Sequence, residues 1–405
     1  MRISSSLFFQ TGLTSINKQQ SDLMRVFQQM GSQKRMITPS DDPLASAQTI
    51  NLAQSQAMDK RYGENREVAM RALGEEENLL NAVNLQLQGV QTRLVEASTG
   101  TMSDADRSTL ATVVESALDT LFGFANTKDG SGQYLFSGAK GTTQAFERTG
   151  NTFSYTGDTN SRNIQVEQTR QMDSADHGRT IFERANPGST AYFTQANANT
   201  GSAVVSAPNG NSSLAGAEAH YTIRFTSETE YDIEVNGAVV SQGVLDENER
   251  QRINLPGGVS VQIEGKPAVG DSFEVSSVDS TSSADMNMFN TLQSVVEALR
   301  KPVSGDPAGQ AEFRNTMNSA MQRIGENFDN VQTVISSVGT RMNEIDALSA
   351  NGAARALNYT NELSRLEDLN IFQASTDLEL RKAALEMSAM AFQTIQSMSL
   401  FNMNR

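Results

Sequence analysis

No cysteine occurs among the 405 residues, and tryptophan is missing as well. Without thiols the chain forms no disulfide, no thiolate metal site and no cysteine nucleophile. Histidine is scarce: His177 and His220 are the two copies, too few for a histidine-rich metal centre. Aromatic residues amount to 6%, which suits long helices better than an aromatic-rich core. Positive charge is in deficit, with 32 Lys and Arg against 47 Asp and Glu and a formal charge of −15. Phosphate attraction needs a basic surface, so this balance argues against nucleic acid and anionic membranes as partners. No stretch offers the ~18 consecutive apolar residues of a membrane span. The opening "MRISSSLFFQTGLTS" lacks the apolar run of roughly 7–15 residues and the cleavage site of a secretory signal. The expectation is a cytoplasmic protein, or one exported by a route that leaves no cleavable mark.

Catalytic constellations are wanting too. His177 lies in the polar run "SADHGRT" and His220 opens "HYTIRF"; neither has the acid and nucleophile context of a hydrolytic triad. Gly130, Gly132 and Gly138 in "TKDGSGQYLFSG" lack the spacing of a phosphate cradle. That stretch reads as a turn followed by an apolar strand, "YLF". Twelve carboxylates face three cations between Thr226 and Asp285. They never take the spacing of a calcium loop and read as a solvated outer surface. No enzyme, metal or cofactor is expected.

What the chain does have is helical periodicity at both ends. Leu73, Leu80, Leu87 and Leu94 recur every seven residues. Ala69, Val83, Val90 and Ala97 fill the alternate position, with Glu76 the one polar interruption. That is a coiled-coil seam. A matching seam lies far downstream in Phe328, Val331, Ile335, Val338, Met342 and Ile345, and each is the obvious cover for the other. Ser103 with Asp106 has the spacing of a capping box at the start of a third helix. In "KRMITPSDDPLAS", Asp42 reads as N-cap and Pro43 as the first helical residue. Asp41 and Asp42 are therefore read as turn and cap residues rather than a metal or acid–base pair.

The middle of the chain, from roughly residue 130 to 285, changes character. "HYTIRF", "EYDIEVNGAVV", "GGVSVQIEG" and "DSFEV" alternate as strands do, with "VNGAV" and "PGGV" as turns. "TAYFTQANANTGSAVVSAPNGNSSLAG" is low in complexity and reads as an exposed loop or linker. The predicted class is α+β: a long antiparallel helical coiled-coil hairpin from the two chain ends, carrying a central β-rich outer region.

The two extremities are unusually apolar for exposed helices. In the first 40 residues Arg2, Lys18, Arg25, Lys34 and Arg35 outnumber Asp22, and Leu13, Ile16, Leu23, Phe27 and Met30 form one stripe. The closing helix has two stripes. Leu380, Ala384, Met387, Ala391, Met398 and Phe401 make one, and Leu378, Leu385, Phe392 and Ile395 lie beside it. Such a face is too wide for one partner helix. The N-terminal helix can cover one stripe; the other calls for a second subunit, or else for burial within the chain's own bundle.

Several blocks carry a family resemblance. "MGSQKRMITPSDDPLASAQTI", "FANTKDGSGQYLFSGAKGTTQAF", "FSYTGD", "SVGTRMNEID", "SRLEDLNIFQASTDLELRKAALEMS" and "GKPAVGDSFEV" together span nearly the whole chain. It resembles the bacterial flagellin superfamily, in the hook-associated branch that joins hook to filament; flagellins themselves generally lack the YLFSG block. The resemblance implies type III export, an extracellular place in the flagellum, and terminal arms ordered on assembly. It implies terminal arms 1–43 and 350–405 in an inner tube, and a coiled-coil domain of 44–145 and 286–349. An acidic outer domain of 146–285, in one or two subdomains, would face outward. Implied partners are further copies in a ring, a preceding junction protein, flagellin, and an export chaperone on the C-terminal helix. A filament-forming flagellin and a glycan-binding module on a flagellin-like scaffold are the alternatives.

Overall fold

A computed structural model describes residues 2–99, 102–210, 220–235, 237–245, 251–278 and 284–401. The long helices are α1 (Arg2–Ser32), α2 (Pro43–Ser98), α3 (Asp104–Ala125), α5 (Met288–Arg300), α6 (Pro307–Glu367) and α7 (Ile371–Phe401), with a short α4 at Gly178–Phe182. Two of their starts follow from local chemistry. The Asp42 carboxylate accepts the Ala45 N–H at 3.0 Å, and Pro43 sits where a helix needs no N–H. At α3 the Ser103 hydroxyl accepts the Asp106 N–H, and the Asp106 carboxylate accepts the Ser103 N–H, each at 3.2 Å. Both halves of the capping box are present.

The chain divides into two compact units, 1–64 with 347–405 and 65–346. The cuts fall inside α2 and α6, so both helices contribute to each unit.

The larger unit has the denser interior. Leu73, Leu80, Leu87 and Leu94 of α2 are each 0% exposed, as are Val331 and Val338 of α6. The fully buried run on α6 recurs every seven residues as Met317, Ile324, Val331, Val338 and Ile345. Phe328, Ile335 and Met342 beside it are half-buried. Asp176 binds both Glu76 of α2 and Arg341 of α6, and Ser98 approaches Met321. In this unit the two helices therefore run antiparallel. Helix α3 packs on α5, and Phe122, Phe146, Phe153, Phe182 and Phe289 stack at centroid distances between 4.9 and 6.0 Å.

The β-rich part holds two hairpins, β1 (Phe146–Thr149) with β2 (Thr152–Tyr155) and β3 (Asn163–Glu167) with β4 (Arg170–Asp173). The remaining strands are β5 (Tyr192–Ala196), β6 (Val204–Val205), β7 (His220–Phe225), β8 (Glu230–Val235), β9 (Ala238–Val244), β10 (Gln251–Asn254), β11 (Ser260–Glu264) and β12 (Ser272–Ser277). They form a five-stranded sheet ordered β5-β12-β7-β8-β9 and a three-stranded sheet ordered β10-β11-β6. Ile223, Phe225, Val261, Phe273 and Val275 belong to the apolar core shared by these sheets.

Two sequence expectations need correction. "YLF" is not a strand: Leu135 and Phe136 are buried in a run of turns. The Phe136 carbonyl takes the Gly178 N–H at 2.8 Å and the Tyr155 hydroxyl at 3.0 Å, so pairing stops at the single antiparallel bridge between Tyr134 and Lys128. The reversal turns on Gly138, whose φ of 63° and contact with the Asp158 carbonyl admit no side chain. Nor is the stretch 190–210 an exposed linker, while 211–216 of the same reading lie outside the described residues. It contains β5 and β6, and Tyr192, Phe193, Thr194, Val204 and Val205 are buried. Its small polar residues sit between apolar ones that face the sheets. Asn236, in the expected β8–β9 turn, lies outside the described residues, while Gly237 has φ 84°.

Candidate assembly surface

The smaller unit is built by α1, α7 and the adjoining stretches of α2 and α6. Helices α1 and α7 run antiparallel. The rings of Phe9 and Phe392 lie 4.8 Å apart, and Asp22 pairs with Arg381 at 2.9 Å. A Cβ on Gly12 would sit 3.0 Å from the Phe392 ring, so the absent side chain lets the helices approach. Farther along, α2 and α6 are joined antiparallel by Arg355 on the Asp59 carboxylate at 2.9 Å and by Gln56 on Thr360 at 3.3 Å.

The segment between α1 and α2 is pinned to the end of α6. Gln33, with φ 56°, accepts the Leu369 N–H at 3.0 Å, and the Arg35 N–H donates to the Glu367 carbonyl at 2.7 Å. Lys34 pairs with Glu367 at 2.8 Å, which raises the pKa of the ammonium through hydrogen bond and charge. The Asp41 carboxylate accepts the N–H groups of Thr38 and Ile37, each at 3.0 Å, and these bonds hold its pKa below the ordinary value. The paired aspartates thus organise a turn and a cap.

This unit buries little. Among its described residues, Val26, Ala45 and Ala374 are the buried apolar ones. Of the 23 large apolar side chains exposed among the described residues, 15 lie here, in less than a third of the chain. Soluble monomers seldom expose so dense a set without a partner for it.

The apolar stripes divide between covered and open faces. On α1, Ile16, Leu23 and Met30 are half-buried, whereas Leu13 is 41% and Phe27 65% exposed. On α7, Leu378, Leu385 and Phe392 are half-buried at seven-residue intervals, on the stripe that meets α1 through Phe392. Leu380 and Met387 of the neighbouring stripe are open, at 64% and 61%. The side chains of Ile395, Met398 and Phe401 lie outside the described residues. Sequence periodicity missed Phe372, which is 89% exposed; as a lone aromatic it belongs to no repeat.

The surface offers apolar area and no reactive centre. Among the described residues no three His, Asp or Glu stand close enough to hold a metal ion. No described helix is long and apolar enough to cross a membrane.

Residues 3–141 match the family described as the bacterial flagellin N-terminal helical region. Flagellar hook-associated protein 3 of Escherichia coli (strain K12) is 27% identical over 406 residues, with 100% of each chain covered. The protein of the same name in Salmonella typhimurium is 26% identical over 405 residues, again over 100% of each. The crystal structure of Xanthomonas campestris FlgL aligns with a TM-score of 0.67 at 26% identity, covering 77% of this chain and 99% of that one. Hook associated protein-3 of Legionella pneumophila shares the fold, with a TM-score of 0.67 at 24% identity over 78% of this chain and 98% of that one.

Proposed function

We propose that this chain, which matches the bacterial flagellin N-terminal helical region over residues 3–141 and is similar along its whole length to proteins named flagellar hook-associated protein 3, is a structural adaptor joining the flagellar hook to the flagellin filament. The observation that carries this reading is the contrast within α1 and α7. The α1 stripe is split, with Ile16, Leu23 and Met30 half-buried and Leu13 and Phe27 open, and on α7 Leu378, Leu385 and Phe392 are half-buried while Leu380 and Met387 stay open to solvent. Burying such side chains is worth roughly 1.5–3 kcal/mol apiece when complete, and a ring of copies supplies the cover. A preceding junction protein meets the ring on the hook side and flagellin on the filament side. Before export, a chaperone shields the open stripe of α7. The role involves no reaction and no cofactor, in keeping with relatives named as flagellar hook-associated proteins.

The test uses isolated hook–basal bodies already bearing the preceding junction protein. Full-length chain is compared with a chain ending at Ala383, scored by sedimentation and microscopy of the hook tip. Tip binding that is lost on truncation, followed by filament growth on adding flagellin, is the expected result. Long filaments formed by the protein alone would make it a filament subunit instead. A folded monomer that does neither would overturn the reading.

A further inference from the structure

Helix α6 carries a second pattern beside its apolar heptads. Asn315, Asn318, Gln322, Glu326 and Asn330 recur at three- and four-residue steps, and Asn327 adjoins them. Asn315, Asn327 and Asn330 are buried. Buried amides are costly unless bonded, and each of these has partners in one stretch of chain, residues 170–205.

The partners are mostly main-chain atoms. The Asn315 side chain accepts the Val205 N–H at 2.8 Å and donates to the Ala203 carbonyl at 3.0 Å. Asn318 donates to the Val205 carbonyl at 3.0 Å, and Gln322 accepts the Thr194 N–H at 3.1 Å. Asn327 donates to the Arg184 carbonyl at 3.3 Å and, outside this stretch, to the Met286 carbonyl at 3.2 Å. Asn330 donates to the carbonyls of Thr180 and Ile181 at 2.8 and 3.0 Å. Nearer the unit boundary, Arg341 reaches the Asp173 carbonyl at 3.2 Å, and Glu344 pairs with Arg170 at 2.7 Å.

The order is regular. As α6 advances from 315 to 344, a distance of about 44 Å at the helical rise, the partner stretch retreats from 205 to 170. Residues 170–205 form a strap laid antiparallel along the helix, contributing β4, α4, β5 and β6 to the β-rich region.

We propose that the amide face of α6 fixes the position of the β-rich region along the helix by reading the main chain of this strap. Carbonyl and N–H groups are the same whatever side chains they carry, so the α6 amides are the positioning residues. Exposed strap side chains that make no bond to α6, such as Arg184, are replaceable.

The absence of native cysteine makes spin labelling clean. Labels are attached after Val240→Cys, on an exposed position of β9, and Thr340→Cys in the full chain, and their separation is read by pulsed electron resonance. A single narrow distribution is expected in the parent. Asn327→Leu with Asn330→Leu, similar in volume but without donors, is expected to shift or broaden it. Arg184→Ala, an exposed position whose substitution spares the carbonyl that Asn327 binds, is expected to leave it alone. An unmoved distance in the amide variant would overturn the proposal, as would equal broadening in both variants. Should the double amide variant not fold, Gln322→Leu serves on the half-buried part of the face, read by the same distance and by exchange of the Thr194 N–H. A faster-exchanging Thr194 N–H with a broadened distance supports the proposal; an unchanged one sinks it.

Discussion

The two units place the same kinds of residue under opposite circumstances. Around Leu80 in the larger unit, heptad leucines are wholly buried by their own chain. In the smaller unit, Leu380 and Met387 repeat at the same interval on a helix of comparable pattern, and both are mostly exposed. Periodicity therefore marks a face that wants cover and is silent on who supplies it. The larger unit completes itself with a second long helix, α3, α5 and two sheets. The smaller one has a helix pair that leaves part of each member's apolar face open.

The sharpest way to break this comparison is to cut equally into both units. Leu80→Ala removes a fully buried side chain from a packed seam, and such truncations cost about 2–5 kcal/mol. The expected outcome is a lower urea midpoint for the larger unit, followed by exchange of amides in α3 and α5. A loss below about 1 kcal/mol would mean that the seam is looser than its burial implies.

A smaller effect is expected where the larger unit departs from its own rule. Glu76 occupies a heptad position among leucines, is 0% exposed, and accepts the Asp176 N–H at 3.2 Å. Burial raises its pKa well above the ordinary 4.5; the Asp176 carboxylate pushes the same way and Arg341 opposes. A raised acid pKa means that the fold holds the proton more tightly than the unfolded chain does. The stabilisation is therefore complete below pH 4.5 and is lost as pH rises through the folded value. Glu76→Gln keeps an acceptor for Asp176 and cannot ionise. As pH rises above 4.5 the parent should lose more stability than this variant. Parallel curves from the two proteins would remove Glu76 as the source of the slope.

What could be read in advance follows the range of the interactions involved. The leucine heptads are written in local spacing, and the Asp42–Pro43 start and the Ser103–Asp106 box are satisfied within a few residues, so spacing alone reveals all three. The turn after Gln133 and the burial of β5 and β6 depend on bonds to distant segments, such as Asn315 to Val205. In the sequence the α6 amides look like an ordinary solvated face, because most of their partners lie more than 100 residues away. On α1 and α7 the stripes were legible. Which stripe would be covered was not, since that depends on how Phe9 meets Phe392. Glu76 stood out as an interruption, with nothing nearby in sequence to name Asp176 and Arg341 as its neighbours.

The smallest expected effect on stability is the most informative about the smaller unit. Leu380→Ser with Met387→Ser alters two side chains that are 64% and 61% exposed, on the α7 stripe next to the one that meets α1. Substitutions at such surface positions usually change stability by within about 0.5 kcal/mol each. The isolated protein should keep its helix content and its melting curve, yet fail to add to hook tips. If the melting curve drops as far as in Leu80→Ala, these residues are part of an internal core and the two units do not differ as described. If stability and tip binding both persist, the open stripe has no partner in assembly. Loss of binding with an unchanged fold separates the two kinds of leucine by the one property that their spacing does not encode, namely whose chain covers them.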